Sequence, residues 1–336
     1  MAFITWNPED TFRIGKTLKN KAKRYYTVDN SIYENRKSAG NVIDKEAGIL
    51  NRGNLTRLKN FLNRAAQGER LTVGFIGGSI TQGFAATAPD KCYAARTVAW
   101  LRKVFPNTEF DYVNAGIGAT DSQFGAARVQ EDLLQRLPDL VMVEFSVNDH
   151  CTPHDMETYE GLIRQIYGSR SCPAMVLLHS VYYDTGKSAA YYHAQIGRHY
   201  DLPCISMQNS IYPAVAEGKL PAEKITADFL HPNDLGHEFM VAVITNFLEK
   251  VIHDKTEEQQ EIFPASLTEN AYEHCARLQY FNSTPEKSGF EEDMTPQRGI
   301  TDIFRNGWSA GEKGAYLEFA FRGTGAAVQY RRVKDG

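Results

Sequence analysis

The sequence is poor in cysteine, which limits both the compartment and the kinds of site that we expect. Only five cysteines occur among 336 residues, an odd number, and none lies in a Cys-x-x-Cys pair. They are scattered along the chain, at Cys92, Cys151, Cys172, Cys204 and Cys275. This usage argues against a disulfide-stabilised secreted scaffold and against a zinc site built from cysteines. We expect reduced thiols in a cytoplasmic protein that uses no metal and no cofactor.

Long apolar runs and an excess of one charge are also missing. No stretch of 18 apolar residues occurs, and the first ten residues lack a basic region followed by an apolar core. We therefore expect neither a transmembrane helix nor a secretory signal. The formal net charge is only −4, so neither nucleic acid nor a membrane surface is expected as a partner. Composition allows an oligomer but does not indicate one.

Between residues 54 and 254, apolar runs of strand length alternate with segments of helical periodicity. The strands are predicted at 71–76, 110–114, 139–145, 174–181 and 203–207. The helices are predicted at 54–67, 90–104, 122–136, 155–168, 188–200 and from Asn233 or Asp234 to 251. This alternation predicts a three-layer α/β/α domain over residues 54–254, built around a five-stranded parallel sheet.

The two ends of the chain have a different character. Residues 1–53 are polar and irregular and are predicted to form a surface arm, in which 25–28 is a candidate edge strand. Residues 255–336 begin as a charged linker and continue with strand-like pieces at 315–321 and 326–331. They predict a small β-rich accessory module. The module stops at a turn signal with no strand after it, and the sequence does not decide whether the natural chain continues past Gly336.

The most informative stretch is the first predicted strand and the turn Gly77-Gly78-Ser79 that follows it. Two glycines let the backbone turn sharply, and the carboxyl ends of strands are where open α/β sheets bind ligands. Glycine-rich phosphate-binding patterns are absent, and Thr81 stands where a Gly-x-Ser-x-Gly elbow requires glycine. The alternatives are an ordinary turn serine and a nucleophile, and the remaining segments favour the nucleophile.

Three further polar segments, 114–120, 144–149 and 228–232, are predicted to reach the same edge of the sheet. Serine needs a base to take its proton and a third group to orient that base. His231 is the candidate base, and Asp228, three residues earlier, is the candidate orienting group. Each segment alone is more often a helix cap or a turn, but their joint presence in this order favours catalysis.

Hydrolysis through a tetrahedral intermediate also needs donors for an oxyanion. The candidates are the Ser79 backbone N–H, a backbone N–H in the turn 116–119, and the Asn148 side-chain amide.

Taken together, the segments resemble the SGNH hydrolases, also called the GDSL-type esterase/lipase family. The resemblance covers about residues 70–250 and rests on four blocks: 77–81, 116–120, 147–149 and 228–232. It implies a flavodoxin-like fold and serine ester hydrolysis without a metal. Many members carry Asp at the position of Gly78. The family's oxyanion glycine falls at Ala119, with Gly118 beside it, so either backbone N–H is a candidate second donor.

A metal cluster is an alternative interpretation of four residues after the asparagine block, His150, Cys151, His154 and Asp155. A loop that lines the crevice is the preferred interpretation.

Other polar residues near the strand ends are expected to have structural or supporting roles. Glu144 is expected to be a buried hydrogen-bonding carboxylate, and Asp149 to brace its own turn. His179 is a candidate substrate contact, and His237 a poorer base than His231.

The predicted function is hydrolysis of a short acyl ester, acetyl as first choice, on a small molecule or oligosaccharide, through an acyl-enzyme on Ser79. No long apolar lid segment is available for a fatty chain, and family members with an appended β module often resemble carbohydrate esterases. The alternatives are a lysophospholipase or thioesterase, a non-catalytic carbohydrate-binding protein, and an acyltransferase that acts on a sugar.

Overall fold

The computed structural model describes residues 2–5 and 42–331, so the candidate edge strand at 25–28 lies outside the described residues. The strands are β1 (Ala2–Thr5), β2 (Ile49–Asn51), β3 (Leu71–Gly77), β4 (Phe110–Gly116), β5 (Leu140–Glu144), β6 (Ala174–His179), β7 (Cys204–Ser206), β8 (Cys275–Arg277), β9 (Glu286–Ser288), β10 (Glu291–Glu292), β11 (Trp308–Ser309), β12 (Tyr316–Glu318) and β13 (Ala326–Val328). The α-helices are α1 (Thr56–Ala66), α2 (Ser79–Gln82), α3 (Tyr93–Val104), α4 (Ser122–Asp132), α5 (Pro153–Tyr167), α6 (Ala190–His199), α7 (Met207–Ala216) and α8 (Asp234–His253).

The central sheet has the strand order β2-β7-β6-β5-β3-β4, and β3 to β7 pair in parallel. Numbered along the chain, the five parallel strands lie in the order 2-1-3-4-5, which is the flavodoxin-like arrangement. The predicted fold class is therefore confirmed. Strand order reverses between β3 and β5, and in such sheets the ligand crevice opens at that point.

A sixth strand, β2, was not predicted. It belongs to the segment assigned to the arm, and it pairs antiparallel with β7 at the edge of the sheet. Its three residues are only half-buried, so they carry neither an apolar run nor a readable alternation. The arm segment therefore contributes directly to the central sheet.

The two faces of the sheet carry separate cores. Val73 and Phe75 of β3 face a layer that includes α1, α3, α7 and α8, whereas Ile76 faces a layer of α4, α5 and α6. Successive strand side chains point to opposite faces, and each fully buried one contributes roughly 1.5–3 kcal/mol. This packing explains why the strands are nearly continuous apolar runs.

Helix α7 is not among the predicted helices, and it contains Pro213 in its interior. Proline removes a helical hydrogen bond and normally signals a break. Here the Ser206 side chain accepts from the Asn209 N–H at the start of the helix, and Ile211 and Ala214 are buried. Capping and packing therefore maintain the helix despite the proline.

The C-terminal residues form three small antiparallel sheets with strand orders β13-β1-β8, β10-β11 and β12-β9. A β-rich module was expected, and β1 adds a strand to it from the amino terminus. The predicted linker is tethered to the α/β domain. The Glu258 carboxylate accepts hydrogen bonds from Arg52 and Lys59, and Phe263 stacks on Tyr167 with ring centroids 4.7 Å apart.

Among the described helices, none combines the length and apolar character needed to cross a membrane.

Candidate active site

Ser79 is the first residue of α2, directly after β3 and Gly78. A side chain on Gly77 would overlap the Thr81 side chain and the Glu144 carbonyl, so this turn requires glycine for close approach. The helix lasts a single turn and ends at Gly83, whose φ is +92°, in the left-handed region that favours glycine. The predicted turn therefore places the Ser79 side chain at the carboxyl end of β3.

His231 and Asp228 complete a hydrogen-bonded chain with Ser79. Ser79 Oγ lies 2.8 Å from His231 Nε2, and His231 Nδ1 lies 2.6 Å from Asp228 Oδ2. An ionised Asp228 accepts a hydrogen bond from the His231 Nδ1–H, which leaves Nε2 free to accept a hydrogen bond from the serine hydroxyl. The structure thus brings together the three residues proposed as nucleophile, base and orienting group.

Hydrogen bonds keep Asp228 ionised. Partial burial of this carboxyl opposes ionisation, but donors from the His231 side chain and from the His231 and Leu230 backbone N–H groups lower its pKa to about 2. The turn is held in a strained form, because Phe229 has a φ of +62°. The Tyr183 N–H donates to the Phe229 carbonyl at 2.7 Å and helps to maintain it.

The Asn148 side chain lies beside the nucleophile turn. A Cβ on Gly78 would overlap Asn148 Oδ1 and stand 2.9 Å from its Cγ. Asn148 follows β5, and its N–H donates to the Phe145 carbonyl at 2.9 Å. In this chain, a side chain at residue 78 would compete with the Asn148 amide for the same space.

Gly118 and Ala119 lie in the loop after β4, on the other side of Ser79. A Cβ on Gly118 would stand 3.6 Å from Ser79 Cβ, which places this backbone against the nucleophile. The Gly118 N–H donates to Gln82 Oε1 at 3.2 Å. Ala119 is exposed and has a φ of +57°, a conformation in which glycine would be unstrained.

Two residues near the triad were not anticipated from the sequence. Gln82, three residues after Ser79 and one turn of helix away, donates from Nε2 to the Gly299 carbonyl of the C-terminal module at 3.4 Å. Phe84 places its ring 4.5 Å from the His231 ring, and 56% of Phe84 is exposed. Their positions follow from the single turn of α2, which a sequence pattern does not reveal.

Glu144 is a buried hydrogen-bonding carboxylate, as expected. Its Oε1 accepts from the Ser146 N–H and hydroxyl, and burial raises its pKa to about 7. His179 was proposed as a substrate contact, but it is wholly buried, and burial lowers its pKa to about 3. That proposal was wrong, because the end of β6 lies beneath the surface rather than in the crevice.

Asp149 does not brace its own turn as predicted. Its two side-chain oxygens bind residues of two other elements: Oδ1 accepts from the Ser122 N–H at 2.9 Å, and Oδ2 lies 2.8 Å from His193 Nε2. Burial raises the pKa of Asp149 to about 8 and lowers that of His193 to about 3. Both pKa shifts favour the neutral form of the side chain, as is usual for a pair that is buried away from water.

His237 and the residues of the suggested metal cluster have other contacts. His237 is buried, accepts from the Tyr93 N–H at 3.2 Å, and has its pKa lowered by burial to about 4. His154 bonds Gln123, and Asp155 forms a capping box with Thr152 at the start of α5. In the part of the chain that the structure describes, no three His, Cys, Asp or Glu side chains are grouped to hold a metal ion.

Comparisons with known proteins agree with this geometry. The sequence profile of the GDSL-like lipase/acylhydrolase family matches residues 75–239, which include the four blocks. A two-domain esterase (CEX) active on acetylated mannans, solved with mannopentaose, is 50% identical, with 81% of this chain and 74% of that chain covered and a TM-score of 0.75. A second structure of an esterase with the same description has the same identity and coverage and a TM-score of 0.77.

A weaker likeness is to an acetylxylan esterase from Geobacillus stearothermophilus, with 19% identity, 53% of this chain and 94% of that chain covered and a TM-score of 0.43. A comparison with curated proteins found no match.

The sequence blocks, the flavodoxin-like sheet, the family profile and the half-identical two-domain esterase lead to the same result: the chain belongs to the GDSL-like lipase/acylhydrolase family, the SGNH hydrolases, and is a carboxylic ester hydrolase.

Proposed function

We propose that the chain removes acetyl groups from an acetylated carbohydrate, with acetylated mannan or its oligosaccharides as the first candidate. The observation that carries the reaction is the 2.8 Å contact between Ser79 Oγ and His231 Nε2. The substrate class is supported by 50% identity, over 81% of this chain, to an esterase active on acetylated mannans.

In the proposed mechanism, Ser79 Oγ attacks the ester carbonyl carbon while its proton passes to His231 Nε2. Ionised Asp228 holds the Nδ1–H and stabilises the imidazolium that forms. When the tetrahedral intermediate collapses, the sugar oxygen leaves with the proton from His231, and the acetyl group stays on Ser79. Water then attacks the acyl-enzyme and gives its proton to His231. Acetate is released when Ser79 recovers that proton.

The oxyanion is proposed to bind the Ser79 N–H, the Asn148 amide and one backbone N–H of the loop after β4. Ala119 is favoured for the last role, because the Gly118 N–H already donates to Gln82 Oε1. Residues with left-handed backbone take part in the concave groups of successive N–H donors that bind anions, and Ala119 has the positive φ of such a residue. Each such donor is worth roughly 10²–10³ in kcat.

Phe84 is proposed to contact the sugar next to the reacting ester. Its ring is 56% exposed and lies 4.5 Å from the His231 ring, so one of its faces or edges remains available. Aromatic side chains bury a large apolar area at little entropic cost. A pyranose ring attached to the leaving oxygen would lie on the side where His231 delivers its proton.

Two assays test the proposal. Release of acetate from acetylated mannan tests whether this polysaccharide is a substrate. Hydrolysis rates of 4-nitrophenyl esters from C2 to C12 determine which acyl length the enzyme prefers. We expect acetate release, a maximum at C2, and loss of both activities in Ser79→Ala. A maximum at C8 or longer would instead favour a lysophospholipase or thioesterase. Absence of turnover on every ester would favour carbohydrate binding without catalysis, and transfer to an added sugar acceptor would identify an acyltransferase.

We also propose a cytoplasmic location, which the free thiols of all five cysteines support. Fractionation of the native cells, with detection of the protein in each compartment, tests it.

A further inference from the structure

The turn that carries Asn148 and the loop that carries Ala119 are joined by one buried side chain, that of Asp149. Asp149 directly follows Asn148, and its Oδ1 accepts the N–H of Ser122, the first residue of α4. Ser122 lies three residues after Ala119. The segments after β4 and β5, the two strands on either side of β3, each bear a proposed oxyanion donor, and a single carboxyl group therefore holds them together.

His193 supports that carboxyl group from a third element, helix α6. Its Nε2 lies 2.8 Å from Asp149 Oδ2, and both side chains have no exposed area. The imidazole ring is stacked on Tyr159 of α5, with centroids 3.6 Å apart and an angle of 5° between planes. Stacking fixes the plane of the ring, and the ring fixes the second oxygen of Asp149.

The partner residues limit movement further. The Ser122 hydroxyl lies 2.6 Å from the Thr158 hydroxyl on α5, and Ala189, at the start of α6, donates its N–H to the Ser146 carbonyl in the Asn148 turn. Replacing a buried polar pair of this kind by well-packed apolar residues is often neutral or stabilising. Stability alone therefore gives little reason to keep this pair next to Asn148.

We propose that Asp149 and His193 form a positioning pair that sets the distance between the Asn148 amide and the Ala119 backbone, and so the geometry of the oxyanion site. Neither residue touches the substrate. Their effect falls on the transition state, because displacement of a donor by about 1 Å costs on the order of 10²-fold in rate. The inference rests on the proposed roles of Asn148 and Ala119.

The test uses Asp149→Ala, His193→Ala and the conservative Asp149→Asn, with Glu160→Gln as matched control. Glu160 is also wholly buried, but its carboxylate binds Leu267, Thr268 and Tyr200, none of which is a candidate site residue. Steady-state hydrolysis of 4-nitrophenyl acetate is measured on the full chain. The concentration of folded enzyme is taken from the amount of fluorophosphonate bound when labelling is complete.

We expect Asp149→Ala and His193→Ala to lower kcat about 10- to 100-fold with KM changed less than twofold, since a misplaced donor weakens only the transition state. Asp149→Asn should retain at least one third of kcat, because its amide oxygen still accepts from Ser122 and its amide N–H can donate to His193. Glu160→Gln should alter the unfolding temperature without altering kcat per folded enzyme.

Unchanged kcat per folded enzyme in His193→Ala would overturn the positioning role. So would an equal loss in Asp149→Asn and Asp149→Ala, because that pattern would indicate a need for negative charge rather than for position. If Asp149→Ala does not fold, His193→Ala and Asp149→Asn decide the question. Wild-type enzyme that hydrolyses 4-nitrophenyl acetate but not acetylated mannan would contradict only the proposed substrate, because this test does not use mannan.

Discussion

The Asn148 amide rests against the α-carbon of Gly78, so closely that a single methyl group on residue 78 would overlap its Oδ1 and come within 2.9 Å of its Cγ. The nucleophile turn and the proposed oxyanion side chain are therefore fitted to each other, and residue 78 controls where Asn148 can lie.

Gly78→Ala should consequently displace Asn148 and lower kcat about 100-fold, with a small change in KM, as expected when one oxyanion donor is lost. Steady-state kinetics on 4-nitrophenyl acetate measures it. Gly311→Ala is the matched control, because nothing lies within 4 Å of a Cβ at that position, and it should leave kcat unchanged. Full activity in Gly78→Ala would show that Asn148 has no part in the transition state.

Ionisation of Asp228 should not limit activity on the acid side of the pH profile. Its pKa is lowered to about 2, so Asp228 stays ionised at pH 4, close to the ordinary aspartate value of 3.8. A plot of log(kcat/KM) against pH should therefore fall with a slope of at most one as pH decreases, and a slope of two would indicate that Asp228 is protonated in the same range. Asp228→Asn should lower kcat about 10³–10⁴-fold by disfavouring the productive tautomer of His231.

Phe84→Ala should discriminate between substrates of different size. We expect KM for acetylated manno-oligosaccharides to rise roughly 2- to 10-fold, the range that an aromatic contact of about 0.5–1.5 kcal/mol implies. Hydrolysis of 4-nitrophenyl acetate, which has no sugar ring, should keep its kcat within threefold. Phe84→Tyr preserves the ring and should behave as wild type. Equal losses on both substrates would point to a disturbed His231 rather than to a sugar contact.

The linker should add pH-dependent stability. Hydrogen bonds from Arg52, opposed in part by burial and reinforced by Lys59, lower the pKa of Glu258 to about 2 from an ordinary value of 4.5. Because the folded-state pKa is the lower one, this stabilisation is present above about pH 4.5 and is lost as pH falls towards about 2.

Glu258→Gln should therefore reduce the free energy of unfolding at pH 7 by roughly 1–2 kcal/mol, and by less at pH 3. Urea unfolding at the two pH values measures the difference. Glu109→Gln is the control: its side chain is 68% exposed, 3.6 Å from Arg70, and a surface pair of this kind contributes little. An equal loss at pH 7 and pH 3 would contradict the electrostatic origin.

The features of the fold and of the site that could be predicted are those that produce a recognisable pattern in the sequence. Strands β3, β5 and β6 are apolar runs because almost every residue in them is buried. The approach of Asp228 to His231 follows from a spacing of three residues. The meeting of Ser79 with His231 could be predicted because parallel strand ends converge and the family blocks occur in order.

Other features depend on distant partners and leave no local pattern. Strand β2 is defined by its pairing with β7, and helix α7 persists because packing outweighs Pro213. Asp149 contacts His193, which lies 44 positions further along the chain. This contact depends on how α6 packs against the rest of the domain. Arg128 likewise lies wholly buried beneath the site, where it donates to the Ala115 and Gly77 carbonyls at the ends of β4 and β3.

The central claim is that Ser79 is the nucleophile of this hydrolase. Mass spectrometry after reaction with a fluorophosphonate probe tests it most directly, with His231→Ala measured beside the wild type. We predict one adduct per folded chain, on the peptide that contains Ser79, and labelling slowed at least 100-fold in His231→Ala. An adduct on any other residue, or a labelling rate that does not depend on His231, would contradict the account.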